Sequence, residues 1–121
     1  MALDKWIAQL RKGLLEMGIM LLLREGARYG LEIIQTLEER SGLVITEGTI
    51  YPLLGRLKSE GLLEAEWVAS DAGHPRKYYR LSAQGRRQLL RMIQHWRGFS
   101  AALDQLIAES EEMSYAERAG G

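Results

Sequence analysis

Residues 45–63 read ITEGTIYPLLGRLKSEGLL. Ile50, Leu53, Leu54 and Leu57 fall at i, i+3, i+4 and i+7, so on a helix they share one face. The opposite face carries Gly48, Tyr51, Pro52 and Gly55, flanked by Thr49, Arg56 and Lys58. Glycine and proline are poor helix formers, and Pro52, past the first turn, is expected to remove a backbone bond and bend the helix. Such a face makes sense where a backbone must come close to something flat and charged. Free amides at a helix start bind phosphate, and Arg56 and Lys58 can neutralise it. Further along, Arg76-Lys77-Tyr78-Tyr79-Arg80 interleaves cations with aromatic rings. These residue types suit recognition of a polyanion rather than bond making.

Bond-making chemistry finds little support. His74 and His95 are the only histidines, and no Ser-His-Asp set, carboxylate pair or metal-ligand spacing surrounds them. The chain has no cysteine, which removes disulfides, thiolate ligands and thiol nucleophiles. No enzyme activity, cofactor or metal is expected. The start, MALDKWIAQLRKG, lacks the basic and apolar regions of a secretory signal. The longest apolar run, Ile19 to Leu23, is too short to span a bilayer. A soluble cytoplasmic protein without membrane association is expected.

Charge tells more by distribution than by sum. Sixteen basic and sixteen acidic side chains cancel. Between Ser70 and Ser100, however, Arg76, Lys77, Arg80, Arg86, Arg87, Arg91 and Arg97 face Asp71 alone. From Asp104 onward acids dominate. Segregation of this kind makes a local positive field.

The elements that carry these residues follow from periodicity. Leu3, Ile7, Leu10, Leu14, Met17 and Leu21 step by four and three along a first helix over roughly Leu3 to Arg24. A second helix starts near Tyr29 and ends at Ser41-Gly42, with Leu31, Ile33, Ile34 and Leu37 on its buried side and Gly42 as a left-handed stop. Thr46 is a good N-cap for the third helix, and Glu47 favours its positive end, so both also have plain capping roles. A hairpin follows, Leu62 to Val68 against Arg76 to Leu81, around a polar loop 69–75. Of Tyr78 and Tyr79, one can pack inward while the other rests on the sheet. Ser82 caps a long last helix, in which Leu89, Ile93, Trp96, Ser100, Leu103 and Ile107 form a heptad seam that Met92, Phe99 and Leu106 widen.

Helix, turn, helix and basic hairpin is the order of a winged helix-turn-helix. The expected fold is therefore mainly α with a small β-hairpin. A winged helix-turn-helix unit spans 1–82, its N-terminal helix 3–24 shared with a dimer interface. A dimerisation helix covers 83–113 and a flexible tail 114–121. From the residues themselves, the DNA-facing set is Thr46, Glu47, Gly48, Thr49, Tyr51, Arg56, Lys58, Arg76 and Lys77, with Tyr51 and Lys77 foremost.

Three segments, YGLEII (29–34), EGTIYPLLGRLKSEGLL (47–63) and HPRKYYRLSAQG (74–85), resemble the PadR family of bacterial transcription regulators. The resemblance covers nearly the whole chain and is similar to the shorter class with one C-terminal dimerisation helix. It implies DNA contact at Thr49, Tyr51, Arg76 and Lys77, and a backbone contact from Tyr29. Position 55, often basic in that family, is Gly here.

The Leu3–Leu21 stripe and the Leu89–Ile107 seam exceed what one chain can cover, which predicts a homodimer reading a pseudo-palindromic operator in double-stranded DNA. Leu3, Leu10, Leu14, Leu89, Ile93, Leu103 and Ile107 are the expected interface. Trp96 sits mid-seam beside Gly98 and Ser100, and is either a space-filling core residue or a ligand surface. The family resemblance implies that a Trp there stacks on flat aromatic effectors; from the residues themselves, Trp6 and Ile7 of the first helix, with Met92 and Phe99 on the seam, are the further candidates for its walls. Repression by occlusion, relieved by a planar hydrophobic or phenolic effector, is the expected mode. The rival readings are a winged-helix module that binds protein, and a MarR-like regulator without an effector.

Overall fold

The computed structural model describes residues 1–71 and 73–120. Seven elements follow in order: α1 (Ala2–Glu25), β1 (Arg28–Tyr29), α2 (Gly30–Ser41), α3 (Glu47–Ser59), β2 (Leu63–Val68), β3 (Arg76–Leu81) and α4 (Ala83–Gly120). Two compact units divide the chain, Met1–Leu89 and Leu90–Gly121, so α4 runs through the boundary.

The first unit is the expected winged helix-turn-helix, with one addition. The sheet has three strands, ordered β1-β3-β2 and antiparallel throughout. Tyr29, expected at the start of a helix, instead ends β1 opposite Tyr78. Its backbone is extended, and α2 begins at the next residue. In the wing, Leu63 pairs with Leu81 and Trp67 with Lys77. The expected loop 69–75 includes Ala72, which lies outside the described residues. Ser70 closes the loop by donating its hydroxyl to the His74 carbonyl at 2.6 Å.

The core is apolar: Ile19, Met20 and Leu23 from α1, Ile33 and Leu37 from α2, Ile50, Leu54 and Leu57 from α3, with Leu62, Leu63, Tyr79, Leu81 and Leu89 closing it. Here α1 departs from expectation. Its stripe at Leu3, Ile7, Leu10 and Leu21 is exposed, and the core takes the neighbouring face, Leu15, Ile19 and Leu22 at i, i+4 and i+7. In α2 Ile33 and Leu37 are buried as expected, while Ile34 is half-buried and Leu31 is exposed. Leu89, expected in the dimer seam, is buried instead within the first unit.

Local chemistry explains the ends. Gly42 stops α2 with φ 74°, a left-handed conformation that costs glycine little, and its amide bonds the Glu38 carbonyl at 3.0 Å. Ser82 caps α4 as expected: its hydroxyl accepts from the Gly85 amide at 2.9 Å and donates to the Gly61 carbonyl at 2.6 Å. Gly85 must be glycine, since a Cβ there would overlap the Leu62 carbonyl oxygen. α4 is longer than expected, passing Met113 to reach Gly120 through Ala116, Glu117 and Ala119, all compatible with helix. Gly121, the end of the expected tail, lies outside the described residues. No described helix is long and apolar enough to cross a membrane.

Candidate nucleic-acid interface

α3 presents its two faces as the spacing requires. Ile50, Leu54 and Leu57 are buried and Leu53 is half-buried. Gly48, Thr49, Tyr51, Pro52, Gly55, Arg56 and Lys58 are exposed. α3 runs as one helix through Pro52. The amide that Pro52 lacks would have served the Gly48 carbonyl, on the exposed side.

The start of α3 corrects one expectation. The Thr46 hydroxyl does not cap the first-turn amides. It turns to Thr49 Oγ1 at 3.3 Å, and the helix is closed only by the Thr46 carbonyl accepting from the Thr49 and Ile50 amides at 3.1 and 2.9 Å. An uncapped N-terminus on an exposed face offers amides to an anion. α2 also starts without a side-chain cap, at Tyr29.

The start of α2 and Tyr51 of α3 meet at the wing. Tyr29, Gly30, Leu31, Tyr51, Trp67, Pro75, Arg76 and Lys77 line one cleft of about 230 Å³. Gly30 makes its floor: a Cβ there would stand 2.6 Å from Cε1 of Tyr51. Tyr78 packs edge-on against Tyr29, with ring centroids 5.4 Å apart, and the Arg76 guanidinium lies 4.5 Å from the Tyr29 centroid. Lys77 Nζ is 5.7 Å from both the Trp67 and Tyr79 centroids. Tyr79 is the inward-packed tyrosine, and burial first, then the neighbouring Tyr51, pushes its hydroxyl pKa up. Trp67 belongs to this constellation although its residue type gave no warning. It is 66% exposed, and only the cross-strand pairing with Lys77 reveals where it lies.

The cations fall into two classes. Arg28 and Arg40 share Glu25, at 3.3 and 2.7 Å. Arg80 is held by Glu64 at 3.0 Å and Glu66 at 3.2 Å, so its charge is met on the wing itself. Arg56 is engaged by Glu60 at 2.9 Å and Glu16 at 3.1 Å, which raise its pKa in that order. Among the described residues, Lys58, Arg76 and Lys77 pair with no carboxylate. Arg76 and Lys77 are thus unmatched cations in the aromatic cleft, and Lys58 is one on α3.

The expected effector residues occupy two places. Trp6 and Ile7 lie on the exposed first half of α1. Met92, Trp96 and Phe99 lie on α4, where Met92 is half-buried and the two aromatic residues are exposed. A groove of about 420 Å³ on α4 is lined by Gln94, His95, Gly98 and Phe99, with the His95 and Phe99 ring centroids 6.3 Å apart.

Comparison with known proteins bears on the same residues. The model of the transcriptional regulator PadR-like family matches residues 19–91. That span includes β1, α2, α3 and the whole wing. An uncharacterized protein of Lysinibacillus sphaericus is 32% identical over 95 residues, covering 77% of this chain and 87% of that protein. A solved PadR-like transcription factor from Bacteroides fragilis is 44% identical, with a TM-score of 0.70 over 85% of this chain and 99% of that one. A PadR family transcriptional regulator from Eggerthella lenta is 34% identical, with a TM-score of 0.80 over 88% and 92% of the two chains. With the winged fold, the basic aromatic cleft and the family match in agreement, the chain belongs to the PadR-like family of transcriptional regulators.

Proposed function

We propose that the protein is a homodimeric repressor that places α3 in the major groove of a pseudo-palindromic operator and lays the wing beside it. The observation that carries this reading is the aromatic cleft that Tyr51 of α3 shares with Tyr29 and with Arg76 and Lys77, two cations that pair with no carboxylate among the described residues. Thr49 and Tyr51 reach base edges or sugars. The amides around Glu47 and Gly48 beyond Thr46 take a phosphate, and Lys58, Arg76, Lys77 and Tyr29 hold the backbone. The exposed apolar residues of α1 and α4 support the dimer: Leu3 and Leu10 on one, Leu103 and Ile107 on the other. Two wings at a fixed spacing then require two half-sites. Occlusion of a promoter follows from occupancy alone, in the cytoplasm where the DNA is.

Trp96 supports an effector role on the same seam. It is 42% exposed, and Gly98 has no neighbour within 4 Å of where a Cβ would stand. A planar hydrophobic or phenolic compound bound there favours one spacing of the recognition helices over another. If Trp96→Ala leaves the affinity of every bound planar compound unchanged, the effector site lies elsewhere.

The test of function is fluorescence anisotropy of labelled DNA from the upstream region of this chain's own gene, against a shuffled fragment, across a salt series. An operator-binding regulator gives a specificity ratio of about a thousand or more and a steep salt slope. Equal weak binding to both fragments overturns autoregulation and favours a protein partner for the winged helix.

A further inference from the structure

One guanidinium joins the first helix to the recognition helix. Arg56, in the second half of α3, donates through Nη2 to Glu16 Oε2 at 3.1 Å and through Nη1 to Glu60 Oε1 at 2.9 Å. Glu16 lies midway along α1, next to Leu15, which is buried in the core. The Glu16 side chain is itself only 28% exposed. Both arms of the arginine fork are therefore in use, one within its own helix and one across to α1. Among the described residues, Lys58, Arg76 and Lys77 have no such engagement. A phosphate approaching Arg56 meets the carboxylates of Glu16 and Glu60 as well as the guanidinium. The exposed face of α3 runs from Gly48 through Thr49, Tyr51 and Pro52 to Gly55, and Arg56 flanks its C-terminal end.

We propose that Arg56 is a positioning residue: through Glu16 it sets the recognition helix against α1, and it is not an operator phosphate contact. The proposal rests on the reading that α3 enters the operator. It assigns α1 a second task. Its outer face is apolar and exposed, and its inner side holds α3 by this ion bridge, so a displacement of α1 is passed to the recognition helix. Exposed ion pairs contribute little to stability, and the effect of this one lies in registration. The guanidinium suits that task because its planar fork is rigid and always charged.

The test compares the intact protein with its Glu16→Gln and Arg56→Gln variants, alone and combined, and with the reversed pair Glu16→Arg/Arg56→Glu. Operator anisotropy is read across salt, with Lys77→Gln as the phosphate-contact reference. Positioning predicts that each neutral variant weakens operator binding about fivefold. The slope of log affinity against log salt stays at the wild-type value. The combined neutral variant is no weaker than either single one, and the reversed pair recovers most of the loss. A slope lower by about 0.9 for Arg56→Gln, as Lys77→Gln should give, makes Arg56 a phosphate contact and overturns the proposal. So does unchanged affinity in both neutral variants. Absence of specific binding by the unaltered protein would instead overturn the operator reading itself. Should the reversed pair fail to fold, the salt slopes and the non-additivity of the neutral variants still decide.

Discussion

Gly30 and Tyr51 are packed so closely that a methyl group on Gly30 would stand 2.6 Å from Cε1 and 2.9 Å from the hydroxyl oxygen of the tyrosine. The first residue of α2 thus sets the ring that α3 presents to the cleft. Gly30→Ala cannot be accommodated unless that ring moves, and a tyrosine side chain moves more cheaply than two helix backbones. The expected result is operator binding about tenfold weaker, or ~1.4 kcal/mol, with little change in the urea midpoint. Adding Tyr51→Ala should then weaken binding no further. If the two losses add in full, the glycine acts through something other than the ring.

Gly85 poses a different constraint, because its neighbour is backbone. A Cβ there overlaps the Leu62 carbonyl oxygen, which already accepts the Ser82 amide at 3.0 Å. Relief requires opening the joint between wing and α4, which the Ser82 hydroxyl ties to both Gly61 and Gly85. Gly85→Ala should cost about 3 kcal/mol in urea denaturation. Ser82→Ala should cost about 1 kcal/mol, as lost caps do.

The wing holds two kinds of cation that composition treats alike. Lys77 has no carboxylate partner, whereas Arg80 lies between Glu64 and Glu66. Lys77→Gln is expected to weaken operator and shuffled DNA alike and to lower the salt slope by about 0.9. Arg80→Gln should leave the slope unchanged. A matching fall for Arg80→Gln would mean that DNA strips the arginine from its carboxylates.

Acid should loosen the joint between α1, β1 and α2. The hydrogen bond from Arg40, opposed by desolvation and helped by the charges of Arg40 and Arg28, holds the Glu25 carboxyl below its ordinary value of 4.5. A pKa lowered by folding means that the stabilisation is fully present above that value and is lost as pH falls through the folded one. Glu25→Gln should therefore reduce stability at neutral pH and flatten its decline below about pH 4.5. Melting temperatures of both proteins from pH 7 downward test this. Parallel curves would remove Glu25 from the acid response.

The sequence made the recognition helix legible because each of its positions obeys one periodicity and the unusual residues share one face. α1 was harder to read, because two overlapping faces are apolar. Spacing singles out Leu3 to Leu21, while the fold buries Leu15, Ile19 and Leu22. Local pattern measures amphipathicity and does not say which apolar face meets the chain's own core. β1 was invisible for a related reason: two residues become a strand only because Tyr78 and Tyr79 arrive beside them. Trp67 and the pairing of Arg56 and Arg80 also depend on partners distant in sequence. The capping of α3 misled in another way. Thr46 stands where a cap belongs, but its hydroxyl takes Thr49 as partner.

The exposed apolar residues of α4 allow the proposed dimer to be tested without disturbing the core. Leu103 is 57% exposed and Ile107 55% exposed on α4, both in the second unit. Replacing both by Asp removes apolar surface that nothing in the single chain covers. The winged-helix unit should keep its far-UV spectrum and melting temperature at low protein concentration. The variant should sediment as a monomer at micromolar concentration and bind operator at least about a hundredfold more weakly, since two linked half-site contacts become one. Binding to shuffled DNA should change far less, because it depends on Lys58 of α3 and on Arg76 and Lys77 of the wing within each chain. If the unaltered chain sediments as a monomer, or the variant remains a dimer, the exposed seam serves some other purpose and the palindromic operator loses its physical basis.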